Sequence, residues 1–448
     1  METMLQRATR VCVKYAESYV PDPYLYAVIL TFITAIAAEI LTKSGPIAIV
    51  NSWYHGLFSI LAFSMQMALV LLSGMTLASA PAIRKLLVQL ASFPESQFGA
   101  AVLVFLVSAL CSWLNWGFGL VIGTLIAREI AKRLKNIDFG FLVASAYMGW
   151  MVWSSGLSSS IALATATPGS ALNIIQKITG EVPGLSQTIF AAYNLVPTVL
   201  FIVIMPIALY FMAPKPEHMK TIDPEVLIRQ DEIEKSSDSR ITFATILENS
   251  WLIIVVLFLM GLAYEANRLI TTGLSLDIND IIFYATWLGL ILHWRPIHYV
   301  RAFNKSATTV GPIILQYPIY GGIMGMMVGT GLAGVIAQSF VAISGQHTLP
   351  FWAFLSSNII SIFVPSGGGH WAVQGPFIVP AAVKLHAQTP MTAMATAMGE
   401  QVADMIQPFW TLPVLAIAGL GIKDIMGYCM ITFLIGFCVY GGALLFFG

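Results

Sequence analysis

The sequence predicts an all-α integral membrane protein made of two inverted repeats, each with a re-entrant hairpin, and about nine transmembrane helices. Three observations carry that expectation. The 448 residues are 57% hydrophobic and only 10% charged, with a mean hydropathy of +0.80, a composition no soluble domain approaches. The apolar runs are roughly 20 to 30 residues long, enough to cross the hydrocarbon core as helices, and the two-residue alternation of an outer-membrane barrel is missing. Two of these runs are interrupted by polar, glycine-rich breaks, at Asn115–Gly119 and Pro365–His370, which occupy matching places in the two halves of the chain. Lipid cannot satisfy the peptide groups exposed by such a break, so it is tolerated only where protein or a water-filled cavity surrounds it. Paired breaks of this kind point to the binding site of a secondary transporter.

In chain order, residues 1–20 carry Arg7, Arg10 and Lys14 but neither a long apolar run nor a small-residue cleavage site, and read as a short interfacial segment without a removable signal. Apolar segments come next at about 24–43, 53–80, 97–127, 139–165 and 187–213, so a first repeat covers 21–213 with its re-entrant hairpin at about 97–127. Residues 214–244 hold Pro214, Pro216, Pro224 and a charge-dense run from Arg229 to Arg240, the composition of a cytoplasmic linker. The apolar segment at about 249–267 has no counterpart in the first half; it makes an extra transmembrane helix within 245–272, and this odd crossing inverts the second half relative to the first. The second repeat covers 273–448, with apolar segments at about 276–294, 308–342, 349–383, 391–418 and 425–447 and a re-entrant hairpin at about 349–384.

Three anchors recur at one constant offset: Gln66 with Gln316, Gly119 with Gly369, and Met148-Gly149 with Met398-Gly399. Re-entrant hairpins also keep Arg84 and Lys85 on the same side as the basic cluster Arg128 to Lys135 and the linker, as the positive-inside rule requires, and place the carboxyl terminus outside. A single crossing over 97–127 would split those charges across the bilayer.

Zero formal charge, the lack of a basic stripe and the lack of a P-loop pattern argue against nucleic acid and against nucleotide-driven pumping. Cys12, Cys111, Cys429, Cys438 and the histidines show no metal-ligand spacing, so neither metal nor cofactor is expected.

Chemistry is expected in four places. At the second break, Ser366, Gly367, Gly368, Gly369 and His370 offer free peptide N–H groups at the start of a helix, which attract a carboxylate; the competing reading is a tight structural turn. At the first break, Asn115, Trp116, Gly117 and Gly119 beside Trp113 wall a small apolar tail or simply pack. Ser154 and Ser155, in a hydroxyl-rich run ending at Ser160, hydrogen-bond a polar ligand or let helices approach closely. Glu400 and Asp404 lie one turn apart on one helix face, where both cannot ionise cheaply unless a cation sits between them. They read as a proton carrier, as sodium ligands if both stay ionised, or as a structural pair with a group such as His370. Gly325 and Gly329 have the spacing of close helix packing, and Glu39 and Glu265 fall near helix ends at the interface.

A carrier fits this pattern best. A channel is disfavoured by unlike halves and the lack of a charge ring, and a membrane enzyme using His370 with Glu400 or Asp404 lacks a nucleophile motif or metal cluster.

The segments Pro365-Ser-Gly-Gly-Gly-His-Trp-Ala-Val-Gln-Gly-Pro376, Ala397-Met-Gly-Glu-Gln-Val-Ala-Asp404 and Trp113-Leu-Asn-Trp-Gly-Phe-Gly119 closely resemble the bacterial short-chain fatty acid transporter family, AtoE type. The likeness runs over essentially the whole chain, including Tyr19-Val-Pro-Asp-Pro-Tyr24. That family looks like a branch of the ion transporter superfamily, with inverted repeats and paired re-entrant hairpins. The resemblance implies uptake of short monocarboxylates such as butyrate or acetoacetate across the bacterial inner membrane by a homodimer with a scaffold part and a moving transport part; the carrier reading of the residues adds coupling to protons or sodium. Dicarboxylate carriers of the superfamily commonly have Ser-Asn-Thr at their tips. Gly367-Gly-Gly-His370 and Asn115-Trp-Gly-Phe-Gly119 stand there instead, so those sodium sites are not carried over.

Overall fold

The structure is a computed structural model that describes residues 23–214, 219, 221, 222, 227, 243–271, 276–407 and 409–448. The expected interfacial segment 1–20 and most of the linker 214–244 lie outside the described residues. Every regular element among the described residues is helical.

The first half contains α1 (Pro23–Thr42), α2 (Pro46–Leu57), α3 (Leu61–Ala78), α4 (Pro81–Leu90), α5 (Gln97–Leu114), α6 (Trp116–Arg133), α7 (Phe139–Trp150), α8 (Ser160–Ala166), α9 (Ile174–Thr179) and α10 (Ala192–Met212). After α11 (Phe243–Glu248) and α12 (Trp251–Thr271), the order recurs as α13 (Ile278–His293), α14 (Pro296–Ala307), α15 (Gly311–Gly329), α16 (Leu332–Ile343), α17 (Leu349–Phe363), α18 (Gly367–Lys384), α19 (Thr389–Ala403), α20 (Thr411–Ala418) and α21 (Met426–Phe447). Local chemistry sets the starts. Pro46, Pro81 and Pro296 open α2, α4 and α14, where a missing N–H costs nothing. Ser96, Asn115 and Asp138 cap α5, α6 and α7 with side-chain oxygens that accept from Gly99, Phe118 and Phe141 amides.

Among the described residues, six helices are long and apolar enough to span a membrane, or seven if α15 and α16, bent by 76°, count as one span. The expectation of about nine also counts shorter and discontinuous pieces. Four apolar segments read as continuous are in fact divided. The 53–80 run is α2 and α3, and the 308–342 run bends at Gly331, whose φ of +77° suits glycine. The 139–165 run leaves the helix at a 3-10 turn, Met151–Ser155, and resumes only at Ser160; the 391–418 run breaks between Ala403 and Thr411. The cause of the first of these two breaks is a competing partner: Leu157 N donates to Trp113 O at 2.6 Å, and a Cβ on Gly156 would meet that same carbonyl at 2.1 Å.

The two halves interlock. α15 packs on α1 and α2, while α3 packs on α13 and α14, so each half's third helix is held by the other half's first two. At the α2–α15 crossing a Cβ on Gly325 would lie 2.4 Å from Ser52 O and one on Gly329 2.5 Å from Ser52 Oγ, the close packing that their spacing suggested. The extra helix α12 lies against α13 and is pinned to it by Arg268, which bonds Asp280 Oδ2 at 2.9 Å, and by Tyr284 OH, which donates to Glu265 Oε2 at 2.7 Å. Glu265 is therefore buried in a network.

Candidate functional site

α5 and α6 form one antiparallel hairpin about Asn115, and α17 and α18 form another about Pro365 and Ser366. Each is clasped to the next helix in the same way. Ser108 Oγ donates to Ala146 O and Ser357 Oγ to Thr396 O, both at 2.6 Å. Gly149 and Gly399 allow these approaches: a Cβ on either would meet a hairpin carbonyl, Phe105 O at 2.4 Å or Phe354 O at 2.5 Å. An indole from the same half then ties each tip, with Trp150 Nε1 donating to Trp116 O at 3.0 Å and Trp410 Nε1 to Pro365 O at 2.9 Å.

Between the tips is a small cavity. Its walls are the indoles of Trp116, Trp150, Trp153 and Trp410 with Tyr317 and Ile313. Its polar lining is Ser160, Ser366 and Gly367 at the first turn of α18. The Trp116 indole nitrogen is buried with no hydrogen-bond partner. An apolar, aromatic box with hydroxyls and a helix N-terminus at one side suits a small molecule with one anionic end and an apolar remainder.

Of the residues expected at the second tip, Ser366 and Gly367 line this cavity. Ser366 Oγ donates to Tyr317 OH at 2.9 Å. Gly368 and Gly369 already belong to α18, and a Cβ there would strike the rings of Phe63 at 2.0 Å and Tyr320 at 2.3 Å. His370 turns away from the cavity, into the hairpin: its Nε2 is 3.0 Å from Ser357 Oγ and 2.7 Å from Gln374 Oε1. Gln374 spends its amide hydrogens on Ala353 O and Ser356 Oγ, so its oxygen accepts and the hydrogen sits on His370 Nε2.

At the first tip only Trp116 lines the cavity. Asn115 Oδ1 accepts from Phe118 N at 2.9 Å, and Trp116 N donates to Ser158 Oγ at 2.8 Å. Gly117 faces Leu71, and Gly119 faces Ser112, whose backbone a Cβ would approach to 2.4 Å.

Ser154 and Ser155 stand on the 3-10 turn beside α19. Ser155 Oγ donates to Gln401 Oε1 at 3.1 Å, and Ser154 Oγ is buried without a partner. Glu400 is fully buried, and neither of its oxygens has a partner. Asp404, equally buried, accepts from Trp153 Nε1 at 2.9 Å and from Gln407 Nε2 at 2.5 Å. The serine and acid clusters, from opposite halves, thus meet beside the cavity, and Asp404 holds one of its walls. Sequence reasoning missed Trp150, Trp153, Tyr317 and Trp410, and reached Ser160 only as the end of the hydroxyl-rich run. Trp150 and Trp153 precede a serine run, and Trp410 comes after Gln401, Asp404 and Gln407; tryptophans bordering polar positions within an apolar segment were the available signal.

The family described as short chain fatty acid transporter matches residues 4–447 of the chain. A Haemophilus influenzae protein named for short-chain fatty acid transport is 38% identical over 431 residues, 95% of this chain and 96% of that one. An Escherichia coli protein named likewise is 39% identical, over 96% of this chain and 97% of its own. The chain belongs to the short-chain fatty acid transporter family. It is a multi-pass membrane protein and a transporter, not an enzyme. Two solved structures share the transporter's fold: the Alcanivorax borkumensis YdaH transporter (TM-score 0.60, 13% identity, 95% of this chain and 98% of that one) and Neisseria gonorrhoeae MtrF, described among antimetabolite efflux pumps (0.60, 16%, 98% and 97%).

Proposed function

We propose that this protein is a secondary active transporter that imports short-chain monocarboxylates, such as butyrate or acetoacetate, across the bacterial inner membrane, coupled to protons or sodium. The observation that carries the reading is the indole-walled cavity between the hairpin tips. The substrate carboxylate is placed at Ser366, the first amides of α18 and Ser160, and its tail among the tryptophans. Asp404, bonded to Trp153, and Glu400 next to it supply the coupling site. The cavity offers one anion-binding end and an apolar rest, so a second carboxylate finds no partner and is costly to bury. Around this site we infer two inverted repeats with re-entrant hairpins, about nine crossings with a cytoplasmic linker, and a homodimer as in the resemblance.

The test is uptake by the purified protein in proteoliposomes. Saturable butyrate uptake with counterflow is expected, and butyrate should compete far better than succinate. Succinate transported as well as butyrate would sink the monocarboxylate assignment, and flux without counterflow would favour a channel. A cysteine introduced at Glu234 should be labelled only from the cytoplasmic side.

A further inference from the structure

The two carboxyl groups of α19 are unlike. Asp404 receives one N–H on each oxygen, from Trp153 and Gln407. Such donors satisfy a carboxylate, whose oxygens only accept. Glu400, one turn earlier, is fully buried and receives none. Ionised there, it would lose its water without a donor in return and would face a second negative charge at Asp404.

The surroundings offer no compensation. α19 packs against α17, α18, α21, α8 and the 3-10 turn. α17, α8 and that turn have no titratable side chain. On α18, His370 is held by Ser357 and Gln374, and Lys384, at the helix's far end, bonds Gln338 Oε1 at 3.1 Å. α21 brings Tyr428, Cys429, Cys438 and Tyr440; from further elements come Tyr147, whose hydroxyl donates to Asp404 O at 2.7 Å, and Tyr317. Among the described residues, no ammonium or guanidinium bonds Glu400.

We propose that Glu400 is the proton-carrying carboxyl of this transporter, while Asp404 remains an ionised anchor that holds Trp153 against the cavity. The proposal rests on the carrier reading and narrows its coupling ion to the proton. An O–H bond forms on Glu400 with a proton from water on the outer side, and it breaks to water on the inner side when the site opens there. One proton accompanies one monocarboxylate, so the cycle moves no net charge.

The full-length protein in proteoliposomes is assayed with labelled acetoacetate, with protein-free vesicles subtracted for leak of the neutral acid. A proton gradient without sodium should drive accumulation, and an imposed potassium diffusion potential should not change it. Glu400→Gln, which imitates the loaded carboxyl, should exchange internal for external substrate but accumulate none. Asp404→Asn should lose exchange as well, because its amide turns an N–H toward Trp153 or Gln407. In the infrared, the wild type should show the carbonyl band of a protonated carboxylic acid, absent from Glu400→Gln and present in Asp404→Asn. Accumulation driven by sodium alone, accumulation by Glu400→Gln, or a band that survives in Glu400→Gln and vanishes in Asp404→Asn overturns the proposal. If the wild type shows no saturable exchange, the carrier reading itself falls, and the infrared band still decides where the proton resides.

Discussion

The two hairpins share a framework and differ at their tips. In both, a serine on the incoming arm bonds the next helix, a Met-Gly pair lets that helix approach, and an indole ties a tip carbonyl. At the first tip Asn115 caps Phe118, Ser158 takes the Trp116 amide and Gly119 lies on Ser112, while among the described residues only the Trp116 side chain of this tip borders the cavity. At the second, Ser366 and Gly367 border the cavity, and Gly367 faces only side chains, Ser160 and Trp153. The same contrast runs through the helices after the hairpins, where Trp150 and Ser154 in one half stand at the positions that Glu400 and Asp404 take in the other. We propose that the first tip is mainly structural and that the second serves ligand and ion.

The largest effect expected from this contrast is at glycine. A Cβ at Gly119 meets Ser112 Cα and N at 2.4 Å, backbone that cannot yield without parting the hairpin arms. Gly119→Ala should cost about 1–3 kcal/mol or more and reduce the folded protein recovered from membranes. A Cβ at Gly367 meets the Ser160 hydroxyl and the edge of the Trp153 ring at 2.9 Å, side chains that can move. Gly367→Ala should therefore fold, with a near-normal thermal midpoint in detergent, and lose transport. If Gly367→Ala unfolds and Gly119→Ala transports normally, the roles of the two tips are reversed.

The matched spacing of the two halves was legible because it lies in the sequence itself. Gly149 and Gly399 proved to make the same close approach, and the two breaks did become hairpin tips. The cavity was less legible because its walls come from positions with no local signature. Trp150, Trp153 and Trp410 look like packing residues until the chain unwinds at Met151–Ser155 and again after Ala403, and the first unwinding is caused by a tertiary bond from Leu157 to Trp113. Hydropathy reads through such breaks, since the residues stay apolar. His370 illustrates the opposite error. Its place in the tip motif suggested a ligand donor, yet one helical turn carries it to the inner side of the hairpin, against Ser357 and Gln374.

An intermediate effect is expected where the two halves are alike. Trp150→Phe leaves Trp116 O without its indole donor, and Trp410→Phe does the same to Pro365 O. Each hydrogen bond so lost costs about 0.5–1.5 kcal/mol. Differential scanning of the two variants should give similar falls in thermal midpoint. A fall confined to one would show that the indole clasp is structural in that half alone.

The smallest change in structure separates the tips most cleanly, because it deletes one oxygen from each. Ser158 Oγ accepts the Trp116 amide, so Ser158→Ala strands a buried N–H and should lower stability by about 1–3 kcal/mol while leaving the half-saturation concentration for substrate nearly unchanged. Ser366 Oγ gives its hydrogen to Tyr317, a hydroxyl that can turn to another partner, so Ser366→Ala should barely alter the thermal midpoint. In the proposed bound state that hydrogen turns from Tyr317 to the substrate carboxylate, and a hydrogen bond to a charged group carries enough energy for half-saturation to rise about tenfold. Equal shifts of midpoint and of half-saturation in both variants would mean that the tips are not divided between structure and binding, and that the carboxylate is held elsewhere along the cavity.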